Sequence, residues 1–199
     1  MPVPELTMYV IRHGQTDYNR DGRLQGAQDI PLNELGRKQA AANGRALAAL
    51  PGFSPDAYDW VASPLIRARK TMELMRTAMG LDPAGYRTDP RLIELCYGDW
   101  EGFTLAEVDA ASPGIIARRD AQKWLFLPPG AQAESYEMMA CRIDEFLASV
   151  DRPLVCVAHG GTVRALFNRI GGMSGEEAAM LEIHQDRILK VENGTIGWI

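Results

Sequence analysis

A short apolar run that stops at a cation and an imidazole constrains this chain more than any other feature. Residues 8–11 are apolar without polar alternation, which predicts a strand buried on both faces of a sheet. The chain then turns polar at Arg12-His13-Gly14, and a second apolar run at residues 154–158 leads in the same way into His159-Gly160-Gly161. Because the ends of buried strands are where α/β proteins meet their ligands, the two histidines indicate a functional site.

The rest of the chain alternates short apolar runs with segments of helical periodicity, which predicts an α/β sandwich. The third strand is expected at residues 60–62, and the helices at 34–50, 63–79, 134–150 and 162–170. Ser63-Pro64 is a typical helix start, and Asn193-Gly194 predicts a hairpin turn. With 199 residues, the chain is expected to form a single domain, 1–199, with an irregular insertion over the site at residues 104–135.

Composition excludes several classes of function. A formal charge of −5 and a pI near 5.3 argue against a nucleic-acid or anionic-membrane surface. No apolar run approaches the roughly 20 residues that span a bilayer, and residues 1–7 lack the features of a signal peptide, so we expect a cytoplasmic protein. Three widely spaced cysteines suggest neither a disulfide framework nor a zinc site. No other spacing of His, Cys or Asp indicates a metal, so we expect neither metal nor cofactor.

Two further segments carry charge next to predicted strand ends or loops. Arg67, Arg69 and Lys70 follow Ser63-Pro64, and such a run is usually a solvated helix face, although arginine can bind phosphate with two parallel hydrogen bonds. Glu94, Asp99 and Glu101 lie in an aromatic, glycine-containing stretch, where a carboxyl group can serve in acid-base chemistry. The sequence alone does not choose among these three carboxylates. His184 precedes a polar stretch, and we assign it no chemistry.

Taken together and in order, these motifs resemble the histidine phosphatase superfamily, with its phosphoglycerate mutase-like fold, over residues 10–166. The resemblance implies a three-layer αβα sandwich with a mixed, mostly parallel sheet. It implies that His13 is the nucleophile, that Arg12, Arg67 and His159 bind the phosphoryl group, and that Glu94 is the proton donor. Asn19 matches a further phosphate-binding position, and the backbone amide of Gly160, at the start of a predicted helix, is expected to contact the same group. Substrate contacts are expected at Gln25, Gly26, Tyr97, Arg118 and Arg119.

The chemistry of these residues agrees with the resemblance. Neutral imidazole, with a pKa of about 6.5, is an available nucleophile near neutral pH. Attack through its nitrogen divides hydrolysis into phosphorylation and dephosphorylation of His13. Arginines and a histidine around the transferring group would stabilise its charge without a metal. The expected activity is therefore that of a metal-independent phosphomonoesterase that forms a phosphohistidine.

Two alternatives remain open at the level of sequence. The family also contains mutases, which carry a segment similar to Glu-Arg-His-Tyr-Gly where this chain has Glu94-Leu95-Cys96-Tyr97-Gly98. The arginine that would hold a substrate carboxylate in a mutase is therefore absent from this chain. Arg118-Arg119 favours the mutase alternative. The other alternative is an inactive protein that only binds a phosphorylated ligand. The expected partner is a small phosphorylated metabolite, and the sequence leaves the choice between monomer and homodimer open.

Overall fold

The computed structural model describes residues 6–199, and a six-stranded mixed sheet forms its centre. The strand order is β3-β2-β4-β1-β5-β6. The first four strands in this order are parallel, while β5 and β6 run antiparallel to their neighbours. The strands are β1 (Met8–Arg12), β2 (Asp59–Ala62), β3 (Arg87–Thr88), β4 (Leu154–Ala158), β5 (Ile188–Glu192) and β6 (Thr195–Trp198).

Helices cover both faces of this sheet. They are α1 (Asp17–Arg20), α2 (Glu34–Ala48), α3 (Ile66–Ala78), α4 (Leu105–Ala111), α5 (Ile115–Ala121), α6 (Tyr136–Ala148), α7 (Gly160–Arg169) and α8 (Gly175–Met180). No helix within the described range is both long and apolar enough to cross a membrane. The expectation of no signal peptide concerns residues 1–7, of which 1–5 lie outside the described residues.

Successive side chains of β1 face opposite layers, as the pleat of a strand requires. Met8 and Val10 belong to a core shared with α6 and α7, whereas Tyr9 and Ile11 belong to a core shared with α2 and α3. The strand is therefore apolar throughout because it is covered on both sides. This arrangement confirms the predicted three-layer sandwich with a mixed, mostly parallel sheet.

The hairpin is confirmed, but the predicted start of α3 is wrong. Asn193 and Gly194 both have positive φ and connect β5 to β6. The helix α3 begins at Ile66, because the Ser63 hydroxyl contacts His159 Nε2 at 2.7 Å instead of capping the helix. Asp29 Oδ1 takes the cap position from outside and accepts the Ile66 N–H at 2.5 Å. The short strand β3 escaped prediction, since its two residues are too few for a pattern.

Candidate active site

The carboxyl ends of three parallel strands bring the predicted catalytic residues together. Arg12 at the end of β1 is in register with Ala158 at the end of β4, and the His13 N–H donates to the Ala158 carbonyl at 2.9 Å. The rings of His13 and His159 consequently lie 5.1 Å apart between centroids. The end of β2 is bound to the same edge, where the Ser63 N–H donates to the Val157 carbonyl. Ligands bind at such edges in open α/β sheets.

His13 is buried and held in one tautomer. Its Nδ1 lies 2.8 Å from the Gly14 carbonyl oxygen. A carbonyl only accepts hydrogen bonds, so Nδ1 carries the proton and Nε2 keeps its lone pair. Burial lowers the pKa of His13 well below its ordinary value, and the positive charges of Arg67 and Arg12 lower it further. The ring is therefore neutral at physiological pH, and Nε2 is a nucleophile.

Two guanidinium groups stand beside His13, that of Arg67 from a buried residue and that of Arg12 from a half-buried one. Arg67 donates to the carbonyls of Gly26 and Gln28 at 2.7 and 2.5 Å, and Arg12 donates to the Ile183 carbonyl at 2.6 Å. Burial lowers the pKa of Arg12 to about 10, with an opposing contribution from Glu94, so the group remains a cation near neutral pH. The Nε atoms of both arginines are buried without a partner among residues 6–199. Such donors suit an anion.

His159 is oriented by Ser63. The Ser63 Oγ accepts the Leu65 N–H at 3.4 Å and lies 2.7 Å from His159 Nε2. His159 Nδ1 is buried and has no partner in the described part of the chain, and it carries the imidazole proton in the tautomer in which Ser63 donates to Nε2. Burial lowers the pKa of His159, and the charge of Arg67 adds to the effect. A neutral ring with a free Nδ1–H can donate to a phosphoryl oxygen.

Glu94 lies at the amino end of α7. Its Oε1 accepts the N–H groups of Leu95 and Gly161 at 2.9 and 3.1 Å, and its side chain lines the cavity. The two competing carboxylates are elsewhere: Asp99 is exposed, and Glu101 Oε1 accepts the Ala27 and Tyr97 N–H groups. Among the three carboxylates, Glu94 is therefore the one positioned to exchange a proton with a bound ester.

The site opens into a cavity of about 160 Å³. Nine of the predicted residues line it, namely Arg12, His13, Asn19, Gln25, Gly26, Arg67, Glu94, Tyr97 and Gly160. His159 lies fully buried beside His13 rather than on the cavity surface. The predicted pair Arg118 and Arg119 lies on α5 and is absent from the lining; Arg119 Nη1 bonds Asp120 instead, at 2.6 Å.

Sequence reasoning missed three residues of the lining, which are Arg23, Leu24 and Arg164. Arg164 is half-buried, donates to the Leu181 carbonyl at 2.8 Å, and has a buried Nε without a partner among residues 6–199. A signal for it existed: it lies four residues after Gly160, so helical spacing places both on one face of α7. Arg23 and Leu24 carry no such signal, because they belong to an irregular loop.

No group of three or more His, Cys, Asp or Glu side chains within residues 6–199 is arranged to hold a metal ion. His184, which the sequence leaves without chemistry, packs its ring edge-on against Trp198 at 5.5 Å. It does not line the cavity.

Comparison with known proteins identifies the family. Residues 8–198 match the histidine phosphatase superfamily (branch 1). Glucosyl-3-phosphoglycerate phosphatase of Mycolicibacterium vanbaalenii is 38% identical over 87% of this chain and 76% of its own length. A solved mycobacterial glucosyl-3-phosphoglycerate phosphatase aligns with a TM-score of 0.75 at 31% identity, over 98% of this chain and 96% of that one. A 2,3-bisphosphoglycerate-dependent phosphoglycerate mutase of Gloeobacter violaceus is 28% identical over 88% of this chain and 80% of its own length. The chain therefore belongs to the histidine phosphatase superfamily, branch 1, and is a phosphatase.

Proposed function

We propose that this phosphatase hydrolyses a small phosphorylated sugar acid through a phosphohistidine at His13 Nε2, without a metal. The observation that carries the proposal is the set of partnerless donors around one neutral imidazole. Arg12 Nε, Arg67 Nε and His159 Nδ1 are all buried without a protein partner among residues 6–199, next to the ring of His13. Buried donors without partners are costly unless a ligand satisfies them.

In the first step, His13 Nε2 attacks the phosphorus and the bond to the ester oxygen breaks. The departing oxygen takes the proton of the Glu94 carboxyl group, so the leaving group departs as a neutral alcohol. Negative charge on the phosphoryl oxygens is met by the two guanidinium groups and by the His159 Nδ1–H. The Gly14 carbonyl stabilises the positive charge that His13 acquires, since it accepts the Nδ1–H.

In the second step, water replaces the imidazole. The Glu94 carboxylate takes a proton from water, the water oxygen attacks the phosphorus, and the N–P bond breaks. His13 returns to its neutral form and inorganic phosphate leaves. Glu94 thus alternates between acid and base, which its position against the Gly161 and Leu95 amides permits in both half-reactions.

The substrate class rests on the relatives and on Arg164. Two mycobacterial relatives are named for glucosyl-3-phosphoglycerate, a phosphate ester that also carries a carboxylate. Arg164 lines the cavity with an unpartnered Nε and can hold a second negative group. Arg118 and Arg119 would serve this purpose only if the insertion moved toward the cavity. We therefore infer a phosphorylated sugar acid as the preferred class.

Residues 104–135 are proposed to cap the leaving-group side of the site. The Asp99 N–H donates to the Pro129 carbonyl, and the Glu134 N–H donates to the Cys96 carbonyl, both at 2.9 Å. Trp100 and Phe126 stack with their centroids 5.4 Å apart. These contacts join the segment to the loop that carries Tyr97.

Mutase activity is the alternative, and Leu95 argues against it. Leu95 occupies the position that is an arginine in the mutase pattern. Its side chain is buried in the core at 2% exposure. It therefore offers no charge to a substrate carboxylate. We expect phosphate release from 3-phosphoglycerate-type esters to exceed isomerisation, with or without 2,3-bisphosphoglycerate. Isomerisation that outruns phosphate release in the presence of this cofactor would overturn the choice of water as acceptor.

The direct test compares His13→Asn with His184→Asn, which removes the histidine packed on Trp198. Rapid-quench labelling with a ³²P-ester should give stoichiometric, acid-labile label in the wild type and in His184→Asn. It should give none in His13→Asn, together with a loss of turnover. Full turnover in His13→Asn, or label on another residue, would refute the mechanism. Tight ester binding without turnover in the wild type would favour the inactive ligand-binding alternative.

A further inference from the structure

Gln185 connects the last part of the chain to the catalytic loop. It lies between α8 and β5, and its Nε2 donates to the His13 carbonyl and to Asn19 Oδ1, each at 3.1 Å. The two hydrogens of one amide group therefore reach two residues of the site. Gln185 itself does not line the cavity, and its polar sequence context gave no signal of this role.

The partners fix the orientation of both amides. The His13 carbonyl can only accept, so the Gln185 atom beside it is the NH₂ nitrogen. Asn19 Oδ1 faces the Thr16 backbone N–H at 3.2 Å, which can only donate, so the Asn19 atom there is the oxygen. Gln185 Nε2 approaches the same oxygen. Rotation of the Asn19 amide by 180° would point its NH₂ group at two donors.

The remaining half of the Asn19 amide is therefore turned away from both donors. Its Nδ2 hydrogens are accepted by no group among residues 6–199, and Asn19 lines the cavity. The backbone of Gln185 is held independently, because Asn43 Nδ2 of α2 donates to its carbonyl at 2.9 Å. Gln185 is thus a fixed donor and not a side chain that follows Asn19.

We propose that Gln185 is a positioning residue that directs the Asn19 NH₂ group at the bound phosphoryl group. The inference rests on the proposed function, in which Asn19 is a phosphate ligand. Gln185 touches no reacting atom. It acts together with the Thr16 N–H, which donates to the same Asn19 Oδ1, so that the unsatisfied part of the Asn19 side chain is its NH₂ group.

The test measures the dissociation constant of inorganic phosphate by calorimetry, together with hydrolysis of p-nitrophenyl phosphate. Gln185→Ala should weaken phosphate binding about five-fold, as expected for one lost hydrogen bond of ordinary strength. Gln185→Glu should weaken it more, because a carboxylate would face two acceptor oxygens and the bound anion. Asp186→Ala, the matched change at the exposed neighbour, should bind and hydrolyse as the wild type does.

A double-mutant cycle separates positioning from a general structural role. In an Asn19→Ala background, Gln185→Ala should cost less than a further factor of about two, since the group that it orients is gone. The same loss in both backgrounds would overturn the proposal. So would a Gln185→Ala protein that folds and binds phosphate as the wild type does.

A spectroscopic readout covers the case in which the Gln185 variants fail to fold. In ¹⁵N-labelled wild type, the Asn19 side-chain amide pair is identified by its absence from the Asn19→Ala spectrum. It should shift on saturation with inorganic phosphate, and an unresponsive pair would refute the proposal. Neither binding nor this signal requires turnover. Failure of the proposed function would therefore appear as absent hydrolysis in the wild type, with the Asn19 response intact.

Discussion

We infer that Ser63 sets which nitrogen of His159 carries the proton, because its Oγ is the hydrogen-bond partner of His159 Nε2. Its hydroxyl has one proton to give, and the Leu65 N–H already occupies one of its lone pairs. Ser63 can donate to His159 Nε2 or accept from it, and we infer that it donates, because the imidazole proton on Nδ1 then remains available to a phosphoryl oxygen. The opposite tautomer would present a lone pair to the phosphoryl oxygens, which repel it.

We expect Ser63→Ala to lower kcat about 10-fold, the upper range for one neutral hydrogen bond, with a smaller change in KM. We expect binding of the ester to depend mainly on Arg12 and Arg67. The His159 donor should act mainly in the transition state, in which negative charge builds on the phosphoryl oxygens. Steady-state kinetics checks this, and long-range ¹H–¹⁵N spectra should report Nδ1–H in the wild type and a mixture in the variant. A wild-type tautomer in an impaired variant would contradict the assignment.

Gly161 holds Glu94 in place because it lacks a side chain. Its N–H donates to Glu94 Oε1, and an added Cβ would collide with that oxygen and approach Met139 Sδ to 2.6 Å. The backbone of Gly161 is helical, so alanine suits its conformation and the conflict is purely steric.

Gly161→Ala should therefore displace Glu94 and lower kcat about 100-fold, the cost of misplacing a catalytic group by about 1 Å. Gly197→Ala in β6 is the matched control, because a Cβ there meets nothing within 4 Å. Hydrolysis of an ester with a good leaving group, which needs little protonation, should suffer less than hydrolysis of an alkyl phosphate. Equal losses for both esters would argue against displacement of the acid.

At the scale of elements, the loop at residues 26–29 and the helix α3 stabilise each other through reciprocal hydrogen bonds. Arg67 of α3 donates to the Gly26 and Gln28 carbonyls, while Asp29 accepts the Ile66 N–H at the first turn of α3. The loop thus receives two bonds from the helix and caps it in return. Because Gly26 and Arg67 both line the cavity, the capping contact supports the phosphate site.

Asp29→Ala should destabilise the protein by about 1 kcal/mol, as removal of a helix cap does, and raise KM for the ester by loosening Arg67. Asp29→Asn, which keeps the acceptor oxygen, should retain most of both properties. Urea unfolding and steady-state kinetics measure the two effects. Equal damage from both substitutions would indicate that the charge of Asp29 matters more than its hydrogen bond.

Prediction from sequence succeeded where a short local motif determines the position of a residue in the fold. His13 and His159 were placed at strand ends by their apolar runs, and adjacent parallel strands bring such ends together. Prediction failed for contacts between distant loops. The Asp29 cap replaced the expected Ser63 cap, and Gln185 reaches His13 from the other end of the chain, because neither pairing leaves a local pattern.

At the scale of the whole molecule, the two buried histidines link stability to pH. Their pKa values lie well below the ordinary value of about 6.5 in the folded state and return to it on unfolding. Above about pH 6.5, the rings are neutral in both the folded and the unfolded state, so their protonation takes nothing from the free energy of unfolding. Below it, only the unfolded chain takes up these protons, so stability falls as pH falls.

Each histidine should contribute a slope of up to about 1.4 kcal/mol per pH unit between pH 6.5 and its lowered pKa. Urea unfolding at pH 7.5, 6.5 and 5.5, in buffer without phosphate, measures the free energy of unfolding. His13→Asn should give a shallower decline than the wild type. Parallel declines would mean that His13 is protonated as easily in the folded state as in the unfolded one.

The position of β1 in the sheet also governs the order in which the molecule can be completed during synthesis. β1 pairs with β4 on one side and with β5 on the other, and both are encoded late in the chain. A nascent chain therefore carries the nucleophile strand with two open edges, exposed to pairing with other chains, until residues 154–192 have left the ribosome. Such distant pairings make folding slow. The site at the end of β1 can therefore form only after both of its later partner strands have been synthesised.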